Sequence, residues 1–357
     1  MSPCGFRSNP VVPLIVTLSV LFAITGCGHS KPRPNEKANR FQAEGAAAYQ
    51  QGQLDRAAGL FSLALEYQPN MAEARNGLGL VALARGDKKT AEAQFRAALS
   101  LNEELAEAHH NLGELALERG EFDEAMTRFR QALAVDPGFG AARLGAGRTL
   151  MLLGRPDEAR WELVKLTEIE PQNAHAHAAY AQVLAQLGRI AAAEAAAQTA
   201  LAIDPKFPGA HRARGEILKR RGEFAPAADE YRLVLQAEPG SGNDRVELVT
   251  TLVAAERLEE ATGEVQTLEK LAPARAEVAF IRAFLALRQR ELPLAIDSAR
   301  RAIRLRKTYP QARMILAEAL FTAGLDAEGR RELKSFIDEA PPSMAIERRK
   351  ATEFLNR

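Results

Sequence analysis

The feature that most restricts the fold of this chain is a repeat of 34 residues that runs through most of its 357 residues. Prolines recur at this interval or twice it, at Pro69, Pro137, Pro171, Pro205, Pro239, Pro273 and Pro341. Glycines recur in the same way, with one gap of three periods before the last, at Gly52, Gly86, Gly120, Gly154, Gly188, Gly222 and Gly324. Small residues form a third series in the same register, at Ala57, Ala91, Ala125, Ala159, Ala193, Ala227, Ala261, Ala295 and Gly329. A period of this length is typical of solenoids built from repeated helical units.

One period has the pattern of two helices joined by a short turn. Apolar residues at spacings of three and four predict a helix from Glu107 to Arg119. Gly120 follows, where the end of a helix prefers a residue that adopts positive φ. Asp123 is predicted to be the N-cap of the second helix. That helix is expected to end at Asp136, because the residue before a proline is disfavoured in the α region.

The residues within these helices predict how the helices pack. Gly113 and Ala125 are small and allow a close approach of two helices, while Leu112 and Phe129 fill the space beside them. A single helix pair cannot bury both of its faces, but stacked neighbours can. The sequence therefore predicts an all-α solenoid rather than separate globular domains.

These positions resemble the tetratricopeptide repeat (TPR) family. The third period carries the family pattern most completely, at His109, Leu112, Gly113, Ala125, Phe129, Ala132 and Pro137. The resemblance implies a right-handed superhelix of nine repeats, numbered here in chain order, at 38–71, 72–105, 106–139, 140–173, 174–207, 208–241, 242–275, 276–309 and 310–343, with a capping helix at 344–357. Repeats 7 and 8 depart from the pattern, because Glu256 and Arg290 stand where the turn glycine is expected.

The N-terminus has the pattern of a bacterial lipoprotein. Residues 1–26 read as a signal peptide with a basic start and a short apolar centre. The run Ile24-Thr25-Gly26-Cys27 resembles a lipobox, which implies cleavage after Gly26 and acylation of Cys27. Residues 27–37 are predicted to be a polar tether. Gly28 in place of Asp suggests the outer membrane of a bacterial envelope, with the repeats facing the periplasm.

The charge balance argues against nucleic acid as a partner. The chain has 47 Lys and Arg against 46 Asp and Glu, so it lacks the basic excess of nucleic-acid-binding proteins. Acidic residues outnumber basic ones in 38–139, and the reverse holds in 276–357. This gradient reflects either solvated helix faces of different charge or two ends that meet different partners.

No motif in the sequence predicts catalysis, a metal site or a cofactor. The chain has no phosphate-binding loop and no set of nucleophile, base and acid. His109, His177 and His211 share one repeat position, where the family carries a large packing residue. We therefore expect these histidines to pack between helices and the protein not to be an enzyme.

The remaining candidate is the surface that the first helix of each repeat presents. The resemblance implies a concave groove that binds a helix or an extended peptide. Its candidate partner-binding residues are Asn76, His110, Asn111, Glu114, Arg148, Met151, Arg212, Glu216, Phe280, Phe284, Met314 and Phe321. The same register places further residues on this surface, among them Leu80, Leu117, Leu144, Ile281, Leu287 and Ile315.

Two features of the surface have alternative interpretations. The groove is mixed polar in its first two thirds and apolar in repeats 8 and 9. The apolar part either packs against the capping helix, whose N-cap is predicted to be Ser343, or forms a slot for a partner. Trp161 lies at a position that usually faces solvent, where it is either an isolated aromatic or part of a second contact surface.

The sequence thus predicts a membrane-anchored, non-catalytic scaffold for protein partners. One specific hypothesis is an assembly factor for an envelope machine, because TPR lipoproteins of this layout resemble pilotin-like factors of type IV pili. The alternative is a scaffold for enzymes of peptidoglycan or exopolysaccharide export. A third hypothesis, a hydrolase or polysaccharide-binding protein, is opposed by the missing catalytic set and the few aromatic residues.

Overall fold

The computed structural model describes residues 34–356, and within that range it contains no β-strand. The helices are α1 Pro34–Gln50, α2 Leu54–Tyr67, α3 Ala72–Ala84, α4 Lys88–Leu101, α5 Ala106–Glu118, α6 Phe122–Val135, α7 Gly140–Leu152, α8 Pro156–Ile169, α9 Ala174–Gln186, α10 Ile190–Ile203, α11 Pro208–Arg220, α12 Phe224–Ala237, α13 Gly242–Ala254, α14 Leu258–Leu271, α15 Ala276–Arg288, α16 Leu292–Leu305, α17 Pro310–Thr322, α18 Asp326–Glu339 and α19 Ala345–Leu355. The predicted signal peptide and Cys27 lie outside the described residues. Across 34–356 we find no helix whose length and apolar character would let it cross a bilayer.

Successive pairs of helices stack to form a solenoid. Each helix packs against its partner in the pair and against the first helix of the next pair. Odd-numbered helices also touch each other across the junctions, as α5 touches α7 and α7 touches α9. The odd-numbered helices therefore line one continuous surface, as the repeat pattern predicts.

The turn within each pair requires a left-handed backbone. The seven glycines of the series adopt φ between 70° and 80°, as Gly120 does at 77°. Glu256 and Arg290 keep the same turn at φ of 58° and 61°. Repeats 7 and 8 therefore preserve the geometry at the energetic cost of a side chain in a region where residues other than glycine are disfavoured.

Three predicted helix boundaries are wrong. Helix α6 begins at Phe122 and its N-cap is Glu121, so Asp123 lies in the first turn. A carboxylate there still interacts favourably with the helix dipole. A short 3₁₀ turn at Pro342–Met344 precedes α19, so Met344 and not Ser343 is the N-cap. Helix α1 begins at Pro34, inside the predicted tether, because proline is favoured in the first turn of a helix.

Aromatic rings set the spacing between helices. A Cβ atom built on Gly113 would lie 2.7 Å from the ring of Phe129, and one on Gly145 of the next repeat would lie 2.5 Å from the same ring. Phe61 is held in the same way between Gly45 and Gly77. Each of these rings therefore packs against two glycines, one in its own repeat and one in the next.

A polar cross-link, which we call the rung, recurs at the fourth residue of a repeat. Nε2 of His109 donates to the carbonyl O of Glu103 at 2.9 Å, and Nη2 of Arg143 donates to the carbonyl O of Pro137 at 2.6 Å. His177, His211 and Arg245 reach the corresponding carbonyls of Pro171, Pro205 and Pro239. The acceptor always lies six residues earlier, in the turn that closes the preceding repeat.

In four repeats a glutamate at the twenty-third position pairs with the fourth residue, and in repeats 4, 6 and 7 this pair completes the rung. The pairs are Arg143–Glu162, His211–Glu230, Arg245–Glu264 and Arg313–Glu332. Both side chains of the first pair are largely buried, at 9% and 16% exposed. The histidines at the fourth position are therefore packing residues, as predicted, and they also hold the closing turns.

Candidate functional site

The structure aligns the predicted groove residues along the odd-numbered helices. Asn76 of α3 and Asn111 of α5 meet across a repeat junction, where Nδ2 of Asn111 donates to Oδ1 of Asn76 at 3.0 Å. Asn76 is 9% exposed, so most of its surface is covered by neighbouring helices. The two amides form a polar link at one edge of a larger set, the groove cluster, which consists of Asn76, His110, Asn111, Glu114 and Arg148.

His110 lies at the centre of the groove cluster in an apolar setting. Its ring centroid is 5.7 Å from that of Phe129 and 5.4 Å from that of Phe139. Within the described residues, its Nδ1 atom is buried without a hydrogen-bond partner. Burial, assisted by the charge of Arg148, lowers the pKa of His110 from 6.5 to about 4. The ring is therefore neutral at physiological pH.

Glu114 and Arg148 form a weak pair beside this ring. The nearest atoms, Nη1 of Arg148 and Oε2 of Glu114, are 3.5 Å apart, and the two side chains are 56% and 34% exposed. Burial raises the pKa of Glu114, although the charge and hydrogen bond of Arg148 oppose that shift. No other ion pair involves either side chain within the described residues, so both keep hydrogen-bonding capacity for a partner.

Further along the groove the charged residues are satisfied by one another. Arg212 donates two hydrogen bonds to Asp244, from Nε to Oδ1 at 2.6 Å and from Nη2 to Oδ2 at 2.7 Å. Its Nη2 also donates to Glu238 at 2.9 Å. Burial opposes the ionisation of Asp244, but the hydrogen bonds from Arg212 and Ser241 prevail and lower its pKa.

A second set of ion pairs involves Glu247, which lies one helical turn after Asp244 on α13. Nζ of Lys219 contacts Glu247 at 2.5 Å and Glu216 at 3.3 Å, and Glu216 also accepts from Nε of Arg220 at 2.9 Å. Together with the Arg212 contacts these form the ion-pair network, which consists of Arg212, Glu216, Lys219, Glu238, Asp244 and Glu247. The predicted residues Arg212 and Glu216 are therefore engaged within the chain itself.

The apolar part of the groove is partly covered by the capping helix and partly open, so it combines the two alternatives raised by the sequence. Phe321 packs edge-on against Phe354 of the capping helix, with ring centroids 5.1 Å apart. Met314 and Phe321 nonetheless line an open apolar cavity of about 490 Å³ between α17, α18 and α19. Phe280 instead packs against Tyr309 with the two rings tilted at 39° and their centroids 5.3 Å apart, and the guanidinium of Arg288 lies over the ring of Phe284.

Four predicted surface residues are at least as buried as Asn76. Leu117, Ile281, Leu287 and Ile315 are each 8% exposed or less, so assigning them to the groove surface was wrong. They join core clusters with residues of neighbouring repeats, which cover them. Met151 is half-buried against the core that surrounds Leu150, so only part of its side chain faces the groove.

Two other candidate features, the exposed Trp161 and possible metal ligands, give weaker evidence for a site. Trp161 is 52% exposed and Nζ of Lys165 lies 3.3 Å from its ring centroid, which leaves both readings of this residue open. No group of three or more His, Cys, Asp or Glu side chains in the described part of the chain is arranged to hold a metal ion.

Comparisons with known proteins agree with the helical architecture. One tetratricopeptide repeat model matches residues 116–183 and 162–217, and a second matches residues 43–108 and 246–310. Together these ranges cover more than half of the chain. A comparison with curated protein sequences finds no match.

Solved structures of other repeat proteins share the fold. PilF of Pseudomonas aeruginosa superposes with a TM-score of 0.51 at 19% identity, covering 58% of this chain and 95% of that one. PilW, a widely conserved type IV pilus biogenesis factor, gives a TM-score of 0.51 at 21% identity, covering 58% and 96%. The APC/C hetero-tetramer Cut9–Hcn1 gives 0.64 at 16% identity, covering 78% of this chain and 55% of that one.

The 34-residue period, the paired helices with their left-handed turns and the matched models lead to one assignment. The chain belongs to the tetratricopeptide repeat family.

Proposed function

We propose that this protein is a lipid-anchored, non-catalytic scaffold that holds another protein in its concave groove during assembly of a type IV pilus. The observation that carries the protein-binding role is the groove cluster. It combines an unpaired buried nitrogen on His110, a weakly held carboxylate on Glu114 and an exposed guanidinium on Arg148. Buried polar groups in native proteins normally have partners, so a bound chain that supplies them would satisfy this cluster.

The arrangement of groove residues suits an extended peptide or an amphipathic helix. The cluster spans α3, α5 and α7, which are the first helices of three successive repeats. Leu80 and Leu144 are half-buried at neighbouring positions and provide apolar contacts between the polar ones. Alternating polar and apolar contacts of this kind allow a chain to be recognised by register.

The proposed place in pilus assembly is supported by the likeness to PilF and PilW. This chain covers nearly the whole length of both proteins, and the second is a pilus biogenesis factor. Anchoring through Cys27 would place the repeats at the surface of the outer membrane facing the periplasm. The lipobox-like run Ile24-Thr25-Gly26-Cys27 supports this location.

Site-specific crosslinking in cells tests the partner. A photo-crosslinking residue at position 148 should capture a pilus secretin or another pilus component from membranes. The same residue at position 130, exposed on α6 away from the groove helices, is the matched control and should capture little. Capture of peptidoglycan or polysaccharide enzymes at position 148 would instead support the alternative scaffold role.

Membrane fractionation tests the anchor separately. Cys27→Ser removes the acylated sulfur, so we expect the variant in the soluble fraction and the parent protein in membranes. Retention of the variant in membranes would contradict the lipoprotein assignment without affecting the groove.

A further inference from the structure

The rung is missing from repeat 8. The fourth residue of this repeat is Ala279 and the twenty-third is Ser298, where the two neighbouring repeats have an arginine and a glutamate. The carbonyl O of Pro273, which a rung would hold, accepts instead from Nη2 of Arg301 at 2.8 Å. The closing turn is therefore still tied, but from a different helix.

The lost side chains leave a polar cavity. Its volume is about 100 Å³, and it lies between α14, α15 and α16. Ser298 lines it and is 5% exposed, and its hydroxyl makes no hydrogen bond to any residue from 34 to 356. An unpaired, nearly buried hydroxyl that opens on a cavity retains both a donor and an acceptor for an occupant.

The charges around the cavity are unequal. Arg282 and Arg301 both line it, and Glu269 is the one carboxylate among its lining residues. Nη1 of Arg282 binds Glu269 at 2.7 Å, so that pair is neutral overall. Among the residues that the structure describes, Arg301 donates only to a carbonyl, which does not neutralise its charge. The cavity therefore carries one uncompensated positive charge.

The sister repeats show which group this place accommodates. In repeats 4, 6, 7 and 9 a glutamate carboxylate occupies the twenty-third position beside a basic side chain. Repeat 8 keeps a basic side chain at the cavity but has only a serine at that position. A carboxylate from outside would restore the missing partner.

We propose that the cavity at Ser298 and Arg301 binds a carboxylate group from an acidic side chain of a partner protein. The carboxylate accepts hydrogen bonds from the free N–H groups of Arg301 and from the Ser298 hydroxyl. The cavity residues differ from the groove residues, so this site is a second point of attachment that does not depend on the proposed function.

The site is tested by titrating the full chain in detergent with N-acetylglutamate amide. Binding is measured from the NMR signals of the arginine side chains. The neutral analogue N-acetylglutamine amide is the matched probe. We expect saturable shifts with the acidic probe alone. Arg301→Gln should weaken its binding at least about tenfold, because a hydrogen bond to a charged group is lost. Arg304→Gln is the control. Arg304 is exposed on the same helix as Arg301 but does not line the cavity, so this variant should bind the probe like the parent.

A second variant fills the cavity. The double substitution Ala279→Arg with Ser298→Glu rebuilds the rung and should abolish binding while the helical circular dichroism signal is kept. The proposal is overturned if the acidic probe gives no saturable shifts, or if binding survives both Arg301→Gln and the rebuilt rung. Tighter binding of inorganic phosphate than of the acidic probe at the same residues would overturn the carboxylate assignment.

Discussion

Two stretches of the same groove use their charged side chains in different ways. In repeats 6 and 7 the ion-pair network joins each charge to another within the chain, as Arg212 does with Asp244 and Glu238. In repeats 3 and 4 the groove cluster leaves Arg148 and Glu114 3.5 Å apart, and Nδ1 of His110 has no hydrogen-bond partner among residues 34–356. The backbone is the same in both places, so the difference comes only from side chains.

This difference separates stability from recognition. A buried carboxylate such as Asp244 requires its arginine, because removing one partner leaves an uncompensated charge. The groove cluster contributes less to folding, and its groups stay available to a partner. A solenoid permits this division because each repeat contacts only its neighbours.

The largest expected effect is in the ion-pair network. Asp244→Ala should lower the free energy of unfolding by about 3 kcal/mol, since it leaves the half-buried guanidinium of Arg212 without its main partner. Chemical denaturation followed by circular dichroism measures the change. Asp229→Ala is the control, because that carboxylate is 65% exposed and its pairing should be worth under about 0.5 kcal/mol. Equal losses in the two variants would remove the contrast between the stretches.

Overpacking beneath the groove cluster should have the next largest effect. Gly113→Leu places a Cβ atom 2.7 Å from the ring of Phe129, which supports His110. We expect a loss of about 1–3 kcal/mol in the free energy of unfolding. Gly59→Leu is the control, because nothing lies within 4 Å of its Cβ position. An unchanged melting curve for the Gly113 variant would refute the assigned packing register.

The two stretches should also differ in their response to acid. The pKa of His110 is about 4 in the folded chain and near 6.5 when unfolded. Between these values the unfolded state binds more protons, so the free energy of unfolding falls as the pH is lowered. The fall attributable to His110 should be about 1–2 kcal/mol between about pH 7 and pH 5.

Two other groups with shifted pKa values, Glu114 and Asp244, also make the free energy of unfolding depend on pH. The raised pKa of Glu114 contributes stability that is lost as the pH rises, which opposes the effect of His110. The lowered pKa of Asp244 contributes stability that is lost only as the pH falls below about 4. The difference between the parent and His110→Gln across this range isolates His110, and parallel pH profiles would contradict the prediction.

The smallest expected effect concerns the turns of repeats 3 and 7. Gly120 and Glu256 occupy equivalent turns at φ of 77° and 58°. Glu256→Gly should therefore raise the free energy of unfolding by about 1 kcal/mol, because it relieves a left-handed residue that carries a side chain. Gly120→Ala should lower it by a similar amount. Thermal unfolding of both variants measures the pair, and a destabilised Glu256→Gly would mean that this side chain makes a compensating contact.

The sequence predicted the architecture because the backbone requirements repeat. The turn glycine recurs in seven of the nine periods, and the position of Phe61 and Phe129 is aromatic in four of them. The structure confirms the helix pairs that these residues predict. The N-caps at Asp123 and Ser343 were predicted wrongly, because a capping residue type one or two places from the helix start looks the same in sequence.

The details of the site were less predictable because they depend on contacts between repeats. Ile281 and Leu287 have the pattern of surface positions, but residues of neighbouring helices cover them. The rung was missed although it leaves a signal, a basic residue or histidine followed 19 positions later by glutamate, as in Arg143 and Glu162. The unpaired nitrogen of His110 leaves no such signal, because it follows from the placement of Phe129 and Phe139 around the ring.

The packing of one ring between two glycines has a consequence for how such a chain changes length in evolution. Because Phe129 contacts Gly113 in its own repeat and Gly145 in the next, and Phe61 contacts Gly45 and Gly77 in the same way, these two junctions present surfaces of similar shape. Duplication or loss of a whole repeat joins two compatible surfaces, whereas an insertion of any other length inside a helix shifts the glycine away from the ring. The groove can therefore lengthen or shorten in whole repeats while the side chains that select a partner vary independently.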